Sequence, residues 1–169
     1  MILPEVRDPR MITIRRGGSL TDDHHRLLAL WAADCAEQVL PFFTAVCPED
    51  TRPEQAIAAA RAWTAGEMPM ITARAAGGHA MGAARPLTGP ARFAAYAAGQ
   101  AACVGHVAEH DLGAAAYAIK AARGPKQSDF AAGRSELRWQ RQRLPGEVRE
   151  LVLEDQRRRN AICWSVFTD

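Results

Sequence analysis

The chain has 169 residues, 48% of them hydrophobic, and its 21 lysines and arginines against 19 aspartates and glutamates leave a formal charge of +2. That length buries one core without covalent staples, and so balanced a charge makes no strong electrostatic claim on nucleic acid. The four cysteines, Cys35, Cys47, Cys103 and Cys163, stand far apart with no C-x-x-C pair, as reduced thiols of a cytoplasmic protein do. The start, MILPEVRDPRMITIRR, lacks the basic head and unbroken apolar segment of a secretory signal, and no window is long and apolar enough to span a bilayer.

Residues 1–18 read as an arm, because Pro4 and Pro9 exclude a helix; Met11 to Ile14 suit a short extended piece that Gly17-Gly18 ends. Residues 19–169 then form one helical domain. Thr21 with Asp22 and Asp23 caps a first helix running to about Leu40, where Pro41 kinks it or begins the next. Pro53 opens a helix that Gly66 closes, and Met68 to Ala84 form a poorer one weakened by Gly77, Gly78 and Gly82. Pro90 to Ala122 is nearly uncharged and rich in alanine, which predicts a central helix pair buried in a helical core, divided near His110 with Asp111 as the cap. Ser128-Asp129 caps a helix to about Arg143, LPGE interrupts, and a last helix reaches roughly Arg159. The tail NAICWSVFTD is β-branched enough for a strand or extended piece, docked through Ile162, Trp164 and Phe167. The fold class is therefore all-α, a single-domain bundle of about seven helices with short extended ends. The C-terminal arginines alternate with acids, the pattern of a solvated helical face.

Several polar residues fall within this apolar frame. Leu27, Leu30, Trp31, Asp34 and Gln38 share one side of the first helix, so Asp34 needs a cation, with Arg61 and Lys120 as candidates. It is then either a ligand contact or half of a structural ion pair. Cys103, His106 and His110 fall at i, i+3 and i+7, one face if the helix runs unbroken, and a thiolate with two imidazoles suits zinc. The same residues also read as a hydrogen-bonded histidine pair beside a packed thiol, with no cofactor at all. Tyr117 and Lys120 lie with Gly113 opposite Leu112, Ala116 and Ile119, as an exposed pair or as a buried lysine with a depressed pKa. Trp31 and Trp63 read as core aromatics, Trp139 less clearly so. No nucleotide-binding, phosphate-binding, nucleophile-elbow or calcium-loop motif occurs, so nothing of that kind supports an enzyme.

The stretches LALWAADCAEQVLPFF, RPEQAIAAARAW, AGQAACVGHVAEHDLGAAAYAIKAA and LRWQRQRLP together resemble the all-helical immunity proteins, five-like group, of bacterial polymorphic-toxin systems. The resemblance spans Leu20 to about Val152, most specifically WAADCAE at Trp31 to Glu37, AARAW at Ala59 to Trp63, and HVAEH with YAIK between His106 and Lys120. It implies a small cytoplasmic protein that binds and neutralises a cognate protein toxin without catalysis, and neither a nucleic-acid nor a membrane partner. Yet Trp31, Asp34, Glu37, Arg61, Trp63, His106, His110, Tyr117 and Lys120 sit on helices that also build the core. That placement equally suits a polar pocket for a small molecule, lined by Asp34, Arg61, His106 and Lys120. A metal-binding helical protein using Cys103, His106 and His110 is the third reading.

Overall fold

A computed structural model describes residues 2–168. Seven α-helices account for most of them: α1 (Asp22–Thr44), α2 (Arg52–Thr64), α3 (Met70–Ala84), α4 (Gly89–Cys103), α5 (His110–Ala122), α6 (Phe130–Gln142) and α7 (Gly146–Arg159). Their ends follow ordinary capping chemistry. Thr21 Oγ1 accepts from the His24 amide at 3.1 Å, with Asp22 and Asp23 in the first turn, and Asp129 Oδ1 accepts from the Ala132 amide at 2.9 Å. Pro41 does not break α1, which runs on to Thr44. The carbonyl that a proline ring leaves without its i+4 donor is that of Glu37, and both residues are exposed, so water can replace the bond. No helix among the described residues is long and apolar enough to cross a membrane.

The alanine-rich pair lies at the centre, as its composition predicts. Helix α4 packs against α1, α2, α3 and α5, while α5 packs between α1, α4 and α6. Ala94, Ala95, Ala97 and Ala98 of α4 and Ala114, Ala115, Ala116 and Ala118 of α5 are fully buried. The division falls earlier than expected, because α4 stops at Cys103 and a turn over residues 104–109 leads into α5. The two helices run antiparallel, with Tyr96 against Tyr117 near one end and Gln100 against His110 near the other. The glycines of α3 are not mere weak points. A Cβ on Gly77 would lie 2.7 Å from the Gly99 carbonyl oxygen and 2.9 Å from Cys103 Sγ, so α3 and α4 cross backbone to backbone. Gly113, expected on the outward side with Tyr117, is buried against Gln100 and Ile2.

The terminal pieces differ from their expected extended form. The arm folds into 3₁₀ turns at Pro9–Met11 and Ile14–Arg16, with one isolated bridge between Thr13 and Leu20, and Gly17 turns it at φ 85°. Proline at the start of the first turn and a capping Asp8 favour this over a strand. The tail after α7 is a run of turns rather than a strand. Ser165 N–H donates to the Asn160 carbonyl at 2.8 Å and Phe167 N–H to Asn160 Oδ1 at 3.0 Å, while Trp164 and Ser165 adopt φ of 57° and 53°.

Arm and tail meet at Arg159, which is only 2% exposed. Its Nε donates to Asp155 Oδ2 at 2.8 Å, Nη2 lies 3.2 Å from Asp111 Oδ1, and Nη1 donates to the Glu109 carbonyl at 2.9 Å and the Ile2 carbonyl at 3.3 Å. Glu109, fully buried, takes both arms of Arg7, from Nε at 2.7 Å and Nη2 at 2.6 Å. The C-terminal arginines are thus not all on a solvated face. Burial raises the Asp111 carboxyl to about 7; Arg159 opposes the shift, and the neighbouring Asp155 and Glu109 reinforce it. Asp111 Oδ1 is held by Arg159 and by the Leu112 amide, while Oδ2 has no hydrogen-bond partner among the described residues.

The glycine crossing gives a clean test of the packing. Gly77→Ala should destabilise the protein by about 1 to 3 kcal/mol through overpacking against the α4 backbone. A methyl group on Gly78, beside it, would meet nothing within 4 Å, and Gly78→Ala should stabilise by about 0.5 to 1 kcal/mol through helix propensity. Urea denaturation of the two variants measures both; equal effects would contradict the close α3–α4 crossing.

Candidate functional site

The structure sorts the polar residues singled out above into separate places. Asp34 and Glu37 of α1 meet Arg61 of α2, whose Nη2 donates to Asp34 Oδ1 at 2.7 Å and to Glu37 Oε2 at 2.9 Å. Arg61 is therefore the cation for Asp34. The cluster is half exposed rather than buried, and Arg61 holds the Glu37 carboxyl below its ordinary pKa. Trp31 is a core residue whose indole N–H donates to the Gln140 carbonyl at 2.9 Å. Trp63 is only half buried and lines a cleft with His25 and His106, and Trp139, also half buried, carries Arg143 4.1 Å over its ring.

Asp34, Arg61, His106 and Lys120 therefore do not line one pocket. Because α4 and α5 are antiparallel, His106 sits in the turn at one end of the pair and Lys120 near the other, while the Asp34–Arg61 pair lies on α1 and α2. The helical face expected for Cys103, His106 and His110 is also absent. Cys103 is the last residue of α4, His106 lies in the turn and His110 is the first residue of α5. No group of three His, Cys, Asp or Glu side chains among the described residues is placed to hold a metal ion. His110 instead bonds through Nδ1 to Gln100 Oε1 at 2.7 Å, and burial, aided by His106 and Arg159, lowers its pKa to about 4. The buried thiols of Cys35, Cys103 and Cys163 are all raised by burial, Cys163 to about 11, which leaves them poor nucleophiles.

One face combines exposure with dense chemistry. Phe93 and Tyr96 of α4, Tyr117 and Lys120 of α5, and Trp164 of the tail surround an open depression of about 390 Å³. Tyr96 stacks on Tyr117 with ring centroids 5.0 Å apart, and Trp164 tilts against Tyr117 at the same separation. The Lys120 ammonium lies 4.2 Å from the Trp164 ring centroid and 4.8 Å from that of Phe93, and Arg92 lies 5.4 Å over Tyr96. Arg123, one turn on, stacks over Phe130 at 5.1 Å. Among the described residues none of Arg92, Lys120 and Arg123 makes an ion pair. Trp164 stays 42% exposed and is held in the left-handed backbone region, which costs about 1 to 3 kcal/mol for a residue with a side chain and persists where surrounding structure enforces it.

Tyr117 and Lys120 were legible from their i, i+3 spacing, and Phe93 and Tyr96 carry the same signal on the facing helix. Trp164 and Ile162, expected to dock the tail with Phe167, stay 42% and 40% exposed, and the place of Trp164 on this face was not legible because it depends on two consecutive positive φ angles that no local residue type announces.

Fold and face together define an all-α bundle displaying a surface rich in aromatic rings and arginine, residue types that protein interfaces favour, with Lys120 among them. The chain belongs to the family described as "Imm-5 like putative immunity protein", whose model matches residues 18–147. Comparison with curated proteins and with solved structures finds no match.

The aromatic cage makes the Lys120 amine a reporter of the face. Burial, with Arg123 nearby, lowers its pKa. Removing Trp164 rehydrates the amine and also removes a ring that favours its charged form; burial is the larger of the two effects, so Trp164→Ala should raise the pKa toward the ordinary lysine value, read by ¹³C NMR at the Lys120 ε-carbon. An unchanged titration would mean that the indole does not cover the amine.

Proposed function

We propose that this protein acts in the bacterial cytoplasm as an immunity protein, binding a cognate protein toxin and blocking it by occupying its surface, without catalysis of its own. Family membership supports the class, and the observation that carries the binding reading is the Trp164 face. Tryptophan, tyrosine and arginine dominate the residues whose loss costs most at protein interfaces, because they bury large area for little conformational entropy. Here four rings brace one another before any partner arrives, so little ordering remains to be done on binding. The unpaired charges on Arg92, Lys120 and Arg123 call for an acidic partner surface, which would also speed encounter.

The test is co-expression with the toxin encoded beside the gene. The wild-type chain should restore growth, and Trp164→Ala and Lys120→Glu should each abolish rescue, with affinity falling by about 2 kcal/mol or more for Trp164→Ala. Circular dichroism checks that both variants stay folded. Failure of the wild type to rescue would sink the immunity reading; full rescue by the folded Lys120→Glu variant would move the interface elsewhere.

A further inference from the structure

A second concavity lies at the other end of the α4–α5 pair. The arm crosses in front of the residues 104–109 turn and leaves a cleft of about 450 Å³, within the size range of small-molecule sites. Arg7, Arg15, Arg16, His25, Trp63 and His106 supply its polar and aromatic lining, and among the described residues no carboxylate lines it. A smaller lobe of about 270 Å³ continues past Arg15, His25 and Trp63, and there the Asp22 carboxylate joins Arg26 in the lining.

We propose that this cleft binds a small organic anion with a flat apolar body, its charge received by Arg15 and Arg16 and its ring laid against Trp63. The charges are unequally committed. Arg7 is spent on buried Glu109, whereas Arg15 makes only an exposed pair with Asp22 at 3.0 Å, and Arg16 only a 3.3 Å contact to the His106 carbonyl. Both can turn to a ligand at little cost. The apolar wall is rigid. His25 Nε2–H donates to the Val104 carbonyl at 2.7 Å and its ring meets Trp63 edge-on at 5.0 Å. A Cβ on Gly105 would come within 2.8 Å of the indole, so only glycine lets the turn lie against that ring. His106 lies in the same wall, and its Nδ1, turned away from solvent, has no hydrogen-bond partner among the described residues. Burial and then the fields of Arg74, Arg16 and Arg7 lower its pKa, so the local potential is positive, and a bound anion would raise that pKa again. The site stands apart from the Trp164 face and does not depend on the immunity reading.

The probes are adenosine 5′-monophosphate and indole-3-acetate as flat anions, with phosphate and adenosine as separated halves, titrated into the whole chain by NMR. Either flat anion should shift the Trp63 indole and the His25 and His106 ring signals saturably, bind at least about tenfold tighter than either half, and leave Trp164 unmoved. Arg15→Ala/Arg16→Ala, both on exposed side chains, should weaken binding about tenfold or more with an unchanged unfolding midpoint. The proposal is overturned by no saturable shift from either flat anion at about 5 mM, by equal binding of phosphate or adenosine alone, or by undiminished binding to the folded double variant.

Discussion

The guanidinium of Arg159 is the constraint on which the ends of this molecule depend. Burying a charge costs several kcal/mol unless partners and hydrogen bonds replace its water, and once paired, losing one partner costs about 3 to 5 kcal/mol. Arg159 meets that demand from three parts of the chain at once: Asp155 on its own helix, Asp111 with the Glu109 carbonyl at the start of α5, and the Ile2 carbonyl in the arm. None of these groups can be left behind cheaply, so the arm, the α4–α5 turn and the end of α7 are fixed together. Two further pairs extend the seam on the outside, Arg158 with Asp8 at 2.9 Å and Arg10 with Glu154 at 2.6 Å.

The tail leaves α7 from this point, so the position of Trp164 follows from it. Five residues beyond Arg159 the chain has turned through the Asn160 hydrogen bonds, buried Cys163 and reached Tyr117 and Lys120 on α5. Arm and tail both lie outside the residues 18–147 that the family model matches, yet they complete both concavities. Such a division suits a binding protein. The alanine core, packed through small side chains and a glycine crossing, sets the helical frame, and the terminal segments add Arg7, Arg15 and Arg16 to one concavity and Trp164 to the other.

Much of the frame is readable in the sequence. Thr21, Asp129 and the prolines mark helix starts, and the Pro90 to Ala122 composition marks the buried pair, because capping and burial act locally. Arg61, the partner of Asp34, is one of the two cations that the sequence offers for it. What escapes the sequence is long-range. Arg157, Arg158 and Arg159 are identical in kind, and only the tertiary fold decides that the last points inward while Arg157 stays exposed. The early end of α4 at Cys103 dissolves the expected histidine and cysteine face and sends His106 and Lys120 to opposite ends of the pair, which no periodicity within the alanine run reveals. His25 is invisible for the same reason, since its role depends on Val104 and Trp63, 79 and 38 residues away.

Native-state hydrogen exchange in the wild type and Arg159→Lys tests the account at its centre. Lysine keeps the charge but cannot reach Asp155, Asp111 and two carbonyls together. The amides of Cys163 and Phe167 should lose protection by about a hundredfold, near 3 kcal/mol, while Ala116 and Ala118 in α5 lose far less. Tail amides as protected in Arg159→Lys as in the wild type would show that the tail, and with it the Trp164 face, is held by something other than the buried guanidinium.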